Sequence, residues 1–335
     1  MRGRKHWLWS LAAALVAVAW TAGSAAEHAE GRPVHTYSIV ARDAQTGELG
    51  VAVQSHWFSV GSTVTWAEAG VGAIATQSFI DPAYGRLGLE LMRAGKSAPD
   101  ALRALVAADE GRDVRQVAMI DAEGRVAAHT GTKCIAAAGH QVGQGYSVQA
   151  NLMEKPSVWP AMASAFEAAK GDLADRMVAA LEAGEREGGD IRGRQSAAIL
   201  IVKPQAGGRP WAGADILVDL RVEDHPEPLV ELKRLLRVHR AYVHMNTGDL
   251  CSERKDWACA VGEYGAAEAL MPEQMEVVFW HATTLVAAGR VEEALPLFKR
   301  VFAAEPRWRD LVGRLPASDL LPGDPALIAR IKAQE

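Results

Sequence analysis

The chain has 335 residues, with 36 Lys and Arg against 41 Asp and Glu, for a formal net charge of −5. A weakly acidic chain has no overall electrostatic pull toward nucleic acid or anionic lipid, so neither is an expected partner. The length suits one large core plus a smaller module.

Residues 1–26 read as an address. "MRGRKH" is a basic start, "WLWSLAAALVAVAW" an apolar core, and "TAGSAA" a small-residue cleavage site. That order predicts a secretory signal cut after Ala26 and a periplasmic or secreted protein. The apolar run falls short of the ~20 residues that span a bilayer, and no later stretch is long enough. Removing the signal takes Arg2, Arg4 and Lys5 from the 36 basic residues, leaving 33 against 41 and a charge of −8.

From Thr36 to about His225, period-2 strands mix with amphipathic helices. "TYSIVARD" and "LGVAVQS" predict a hairpin around "AQTGE", and "VGAIATQS" a third, mostly buried strand. "DPAYGRLGLELMRAG" predicts a helix stopped by Gly95, and "SAPDALRALVAAD" a second one capped by Ser97. Strands "RQVAMID", "RVAAHTG" and "YSVQANLM" follow, then two helices between Val158 and about Glu187. "SAAILIV" and "ADILVDLRV" close the segment; lacking a clear polar face, both are expected to be buried on both sides. Blocks of strands alternating with paired helices indicate an α+β fold of sheets covered by helices.

Beyond about Arg237 the pattern is helical alone. Pro272 and Pro306 are 34 residues apart, and the pairs Ala260/Ala294 and Tyr264/Phe298 keep that interval. This resembles the tetratricopeptide repeat over roughly residues 241–308, in two copies with a degenerate first helix. Two copies are fewer than a free-standing array needs. The module then either buries surface of the main domain or contacts a protein partner.

Several chemistries lack their motifs: there is no G-x-S-x-G elbow, Walker loop, H-E-x-x-H or zinc-like Cys/His spacing. No metal or organic cofactor is therefore expected. Of Cys134, Cys251 and Cys259, an oxidising compartment would pair Cys251 with Cys259.

Thr36 is the position that raises a chemical question. It opens a hairpin strand that is followed by the small-residue strand "GVGAIATQS", as in the proteasome β-subunit and other N-terminal-nucleophile hydrolases. In such enzymes a freed terminal Thr attacks an amide while its own α-amine, with a pKa near ~7.7–8.0, serves as the base. The stretch "HTYSIVARDAQTGELGVAVQSHWFSVGSTVTWAEAGVGAIATQSFIDPAYG" resembles the opening of the domain of unknown function 1028 family. So do "GRVAAHTGTKC", "GQGYSVQANLM", "GGDIRGRQSAAILIV" and "VDLRVEDHPEP", in that order over about residues 36–230. The resemblance implies the N-terminal-nucleophile hydrolase superfamily and its four-layer αββα sandwich, followed here by the small all-α tetratricopeptide-like module. Cytoplasmic-type members begin Met-Thr; here "EHAEGRPVH" precedes Thr36. The expected organisation is signal 1–26, candidate propeptide 27–35, hydrolase-like domain 36–235 and helical domain 236–335.

Within that frame Thr36 is the candidate nucleophile. Ser55, with Gln54 in reserve, is the polar residue expected beside it at the end of the partner strand. Asn151, at a strand end, offers an amide to an oxyanion or simply forms a turn. Gln77 and Ser78 end the third strand ahead of a helix, positioned either for substrate or as a cap. "GGDIRGRQSAA" concentrates Asp190, Arg192, Arg194, Gln195 and Ser196 before a buried strand. There Arg192 would grip an anionic substrate group, with Asp190 or Ser196 supporting the amine, or else Asp190–Arg192 is a structural ion pair. Gln195 belongs to the same substrate-binding set. The expectation is an exported amidohydrolase acting on small peptides, N-acyl amino acids or cell-wall fragments. The alternative is an exported, non-catalytic binding protein that works through its helices. A homo-oligomer is open.

Overall fold

The computed structural model describes residues 36–208 and 213–334. Strands β1 (Thr36–Arg42) and β2 (Leu49–Ser55) form the opening hairpin, and one helical turn, α1 (Gly61–Val64), leads to β3 (Thr65–Glu68) and β4 (Gly72–Ser78). Helices α2 (Ala83–Arg93) and α3 (Ala98–Ala108) precede β5 (Arg115–Asp121), β6 (Val126–Thr130), β7 (Gly139–Gly143) and β8 (Tyr146–Ala150). Then come α4 (Val158–Ala168), α5 (Leu173–Arg186), β9 (Ser196–Val202) and β10 (Ile216–Val222). The remainder is helical: α6 (Pro228–Glu253), α7 (Trp257–Leu270), α8 (Met275–Ala287), α9 (Val291–Ala304), α10 (Trp308–Val312) and α11 (Pro325–Lys332).

The strands form two antiparallel sheets, ordered β10-β9-β2-β1-β8-β7 and β3-β4-β5-β6. The chain is thus a mixed α+β protein. Side-chain alternation along β1 explains how the sheets pack. Tyr37, Ile39 and Ala41 face α4, α5 and the start of α6, meeting Met162, Leu181 and Leu232. On the other face, Val40 with Val51 and Val53 of β2 meets Ala73, Ala75, Ala118 and Ile120 of the smaller sheet. That sheet's outer face sets Ile74, Val117 and Met119 against Leu89, Met92 and Leu102 of α2 and α3. Ser97 caps α3 by accepting from the Asp100 amide, as its position before the helix predicts.

Three details depart from the sequence pattern. The strand "GAIATQS" is β4, because the four-residue β3 pairs ahead of it. β7 also joins the larger sheet at its edge. And β10 is not buried on both sides: Ile216 is 46% exposed and Asp219 and Arg221 reach solvent. The smaller sheet packs over β9 to β7 and stops short of β10, so this edge strand has helix cover on one face only.

Helix α6 crosses the expected boundary between residues 235 and 236 without a break. Its first half buries Leu229, Leu232 and Leu236 in the sheet–helix core, and its second half buries Ala241 and Met245 against Tyr264 and Ala267 of α7. Ala260, Ala294, Tyr264 and Phe298, the positions that share the 34-residue interval, are all buried. Cys251 and Cys259 form a disulfide across the α6–α7 turn, with Cα atoms 5.9 Å apart, and Cys134 is free.

Candidate active site

The N-terminal end of β1 carries polar side chains into the space between the sheets. Thr36 lies opposite Ser55, which lies opposite Ser196, giving a row of three hydroxyl residues across β1, β2 and β9 on the face toward the smaller sheet. Thr36 Oγ1 donates to Ser55 Oγ at 3.2 Å, and both residues are fully buried. The Thr36 carbonyl accepts from the Asn151 backbone N–H at 3.1 Å, Asn151 Nδ2 at 3.4 Å and Gln77 Nε2 at 3.2 Å.

Behind this carbonyl a second tier of amides is organised by Gln116. Its Oε1 accepts from Gln77 Nε2 at 2.7 Å and Asn151 Nδ2 at 2.9 Å. Its Nε2 donates to the Ala150 carbonyl at 2.9 Å, Thr130 Oγ1 at 2.9 Å and the Gly139 carbonyl at 3.2 Å. Ser38 Oγ donates to Gln77 Oε1 and accepts from Gln149 Nε2, each at 2.6 Å. So many buried polar groups would oppose folding without partners; mutually bonded, they tie the two sheets together and fix the backbone of Thr36. Gln77 is therefore a buried cross-link and not a group open to substrate.

The chain of bonds continues to the surface. Thr130 Oγ1 lies 2.8 Å from His140 Nδ1, and both line a cleft of about 530 Å³ shared with Cys134 and Trp159. Partial desolvation by the cleft, then the neighbouring His129, holds His140 below the ordinary imidazole range. Burial likewise pushes the Cys134 thiol up, against the reactive thiolate form. Ser78 lies beside Cys134, on the opposite face of β4 from Gln77, with φ at +71°.

The glycine-rich loop after α5 delivers the charged pair. Gly188, Gly189 and Gly193 all adopt positive φ, so the loop turns back against the ends of β1 and β2 as other residues would not readily allow. Asp190, with its side chain at 0% exposure, accepts from the His56 N–H at 3.1 Å and the Arg192 N–H at 3.0 Å. Arg192 adds Nε at 3.0 Å and Nη2 at 2.7 Å, a bidentate pairing. Nearby, Tyr37 donates its hydroxyl to Glu185 Oε2 at 2.6 Å. Burial first, then the charges of Glu185 and Asp190, pushes that phenol well above its ordinary range.

Of the residues expected at the site, Thr36, Ser55, Asn151 and Gln77 come together in one cluster. Asp190 and Arg192 border it through His56, next to Ser55. Ser196 shares the hydroxyl row, but its Oγ donates to the Trp57 carbonyl and accepts from the Val60 N–H at 3.2 Å, which fixes the β2–α1 turn. Gln195 points away, its Nε2 donating to Asp224 at 3.2 Å. Gln54 alternates with Ser55 and faces the helices instead. Sequence reasoning missed Ser38, Gln116, Thr130, His140 and Gln149; for Ser38, Gln116 and Gln149 the signal was there in inward strand positions of "TYSIV", "RQVAMI" and "YSVQA". Among the described residues, no group of three or more His, Cys, Asp or Glu is arranged to hold a metal ion.

No curated protein matches this chain. Five solved chains do. One is a crystal structure of protein SPO2555 from Silicibacter pomeroyi, 30% identical, with a TM-score of 0.54 over 61% of this chain and 88% of that one. That structure carries the same family assignment as the match found here, which spans residues 36–232, begins at Thr36 and ends inside α6. By that match the chain belongs to DUF1028, a family of unknown function.

Proposed function

We propose that the protein is an exported amidohydrolase of the N-terminal-nucleophile class, with Thr36 as nucleophile once the His35–Thr36 bond is cut. The observation that carries this reading is the coincidence at Thr36. The family match starts there, its hydroxyl is bonded to Ser55, and its carbonyl is held by three donors. The stacking of helices, sheet, sheet and helices supports assignment to the αββα sandwich of that superfamily. The helical half, with matching buried positions in α7 and α9, supports a degenerate tetratricopeptide-like pair. The Cys251–Cys259 disulfide is in keeping with export.

In this mechanism the freed Thr36 amine takes the proton from Oγ1, and Oγ1 attacks the substrate carbonyl. The C–N bond breaks as the amine returns the proton to the departing nitrogen, leaving an acyl ester on Thr36. Water, deprotonated by the same amine, then cleaves that ester. Ser55 orients the nucleophile, and Asn151 Nδ2, which donates to Gln116 Oε1 and the Thr36 carbonyl at rest, would turn one N–H to the oxyanion. The substrate would be a short peptide, N-acyl amino acid or cell-wall fragment.

The competing reading is an exported, non-catalytic binding protein, favoured by the complete burial of Thr36. N-terminal sequencing and intact mass of the exported protein separate the two. A wild-type chain beginning at Thr36, with Thr36→Ala retaining "EHAEGRPVH", supports a self-processing hydrolase. A wild-type chain beginning at Glu27 rejects it. If Thr36→Ala is trimmed as well, a separate protease does the cutting. Hydrolysis of a dipeptide and N-acyl amino acid panel, abolished in Thr36→Ala, then decides for the enzyme, and unchanged turnover decides against it.

A further inference from the structure

The second half of α6, with α7 and α8, encloses a groove of about 690 Å³, distant in sequence from Thr36 and unused by the proposed chemistry. This volume is in the range of sites that enclose a small ligand or a short peptide segment. Its charge is one-sided. Asp249, Glu253, Glu276 and Asp319 line it, and no Lys, Arg or His does. Among the described residues none of these four carboxylates is ion-paired, although the same helical region carries such pairs, Arg237 with Glu273 and Arg300 with Glu268 among them. Asp249 accepts from the Tyr264 hydroxyl at 2.5 Å and Glu276 from the Tyr242 hydroxyl at 2.9 Å, which holds both carboxylates in place. Each keeps further lone pairs for a second donor.

The other half of the lining is aromatic. Trp257 and Trp280 join Tyr242 and Tyr264 in the wall. Indole and phenol faces attract ammonium and guanidinium groups, and the attraction is strongest where the cation is partly desolvated, as in a groove. The floor is also built to hold its shape. Ser252 and Glu253 end α6 and Trp257 begins α7, on either side of the turn that the Cys251–Cys259 disulfide closes. A preorganised site spends less on ordering when a ligand binds.

We propose that this groove binds a basic peptide segment, seating Lys or Arg side chains between the carboxylates and the indole faces. Charge complementarity commits the occupant to a cation, and four carboxylates drawn from α6, α8 and the segment at Asp319 suit a chain bearing more than one. This inference does not rest on catalysis at Thr36.

The test uses the full exported chain and isothermal titration with the capped peptide acetyl-Lys-Ala-Arg-Ala-Lys-amide. One-to-one binding that weakens with salt is expected. Asp249→Asn/Glu276→Gln, which removes two of the four carboxylates, should weaken it about tenfold, or ~1.4 kcal/mol. Glu110→Gln/Glu223→Gln, which removes exposed carboxylates elsewhere, should leave it unchanged. Should the groove variant lose its folded circular dichroism, Glu253→Gln, whose side chain bonds to nothing in the described protein, takes its place with the same expected direction. The proposal is overturned by no binding, by equal binding of the Glu-Ala-Glu-Ala-Glu counterpart, or by equal weakening in the distal variant. It is overturned as a peptide site if 1,5-diaminopentane binds as tightly as the peptide.

Discussion

Replacing Gln54 by Met is expected to stabilise the protein, whereas the same change at Gln116 is expected to destabilise it. Both glutamines are fully buried in strand interiors of the same two-sheet domain. Gln54 faces the helices beside Tyr37, and neither its Nε2 nor its Oε1 has a hydrogen-bond partner among the described residues. A buried polar group left unpaired costs about 1–3 kcal/mol, so a flexible thioether of similar length should recover about that much. For a domain of this size the gain corresponds to a rise in Tm of roughly 2–12 °C. Gln116 is the opposite case. Its loss removes the acceptor of Gln77 Nε2 at 2.7 Å and of Asn151 Nδ2 at 2.9 Å, together with three donated bonds. Two deprived amides at 1–3 kcal/mol each predict a loss of about 2–6 kcal/mol. Urea unfolding monitored by far-UV circular dichroism measures both. A Gln54→Met variant less stable than wild type by 1 kcal/mol or more would show that its amide is well bonded after all. A neutral Gln116→Met would show that the inter-sheet network contributes little.

Three further outcomes follow from the same geometry. His140 is held below its ordinary pKa, so its folded form resists protonation. Its contribution to stability should be full above about pH 6.5 and fall as the pH drops through the depressed value. The difference in Tm between wild type and His140→Gln should therefore change between pH 7.5 and 5, and a parallel pair of curves would refute the assignment. Arg192→Ala should cost about 3 kcal/mol, because it strands the buried Asp190 carboxylate with only backbone amides, and a loss under ~1 kcal/mol would mean that solvent reaches it. Cys251→Ser/Cys259→Ser opens a short loop whose closure is worth about 2.5 kcal/mol on chain-entropy grounds. Thiol titration of the denatured, unreduced wild type should find Cys134 alone; three thiols would refute the bridge.

Local pattern and local capping were readable along much of the chain because they depend on neighbours in sequence. The hairpin register that sets Thr36 opposite Ser55 follows from two seven-residue strands of matched alternation. The Ser97 cap and the Gly47 turn are equally local. What escaped were elements whose identity comes from a partner. β7, "GHQVG", is a polar, largely exposed edge strand with no apolar alternation to detect, and it is a strand because β8 pairs with it. β10 carries an apolar run, but edge position and the width of the facing sheet decide its exposure. α6 spans two cores because its apolar stripe continues past Leu236 to Ala241 and Met245, and composition alone marks no break there.

The site shows the same limit one level higher. Alternation along a single strand places Thr36 and Ser38 on one face of β1, and Gln116 on the inward face of β5, without saying that these faces meet. Their meeting requires the two sheets to stack with the ends of β1, β4, β5 and β8 in line. Only then do Gln77 and Gln116 reach Thr36 and Asn151 across the interface. A search for chemistry-bearing residues at strand ends therefore finds the Thr36 end of the network and misses its middle. The glutamines sit inside strands, where a polar residue normally signals a solvent face. Their burial is tolerable because each amide satisfies another, and a one-dimensional pattern cannot express that condition. Inward-facing Ser, Gln and Thr recurring on several strands of one domain, "TYSIV", "ATQS", "RQVAMI" and "YSVQA" here, are the trace that such a network leaves in a sequence.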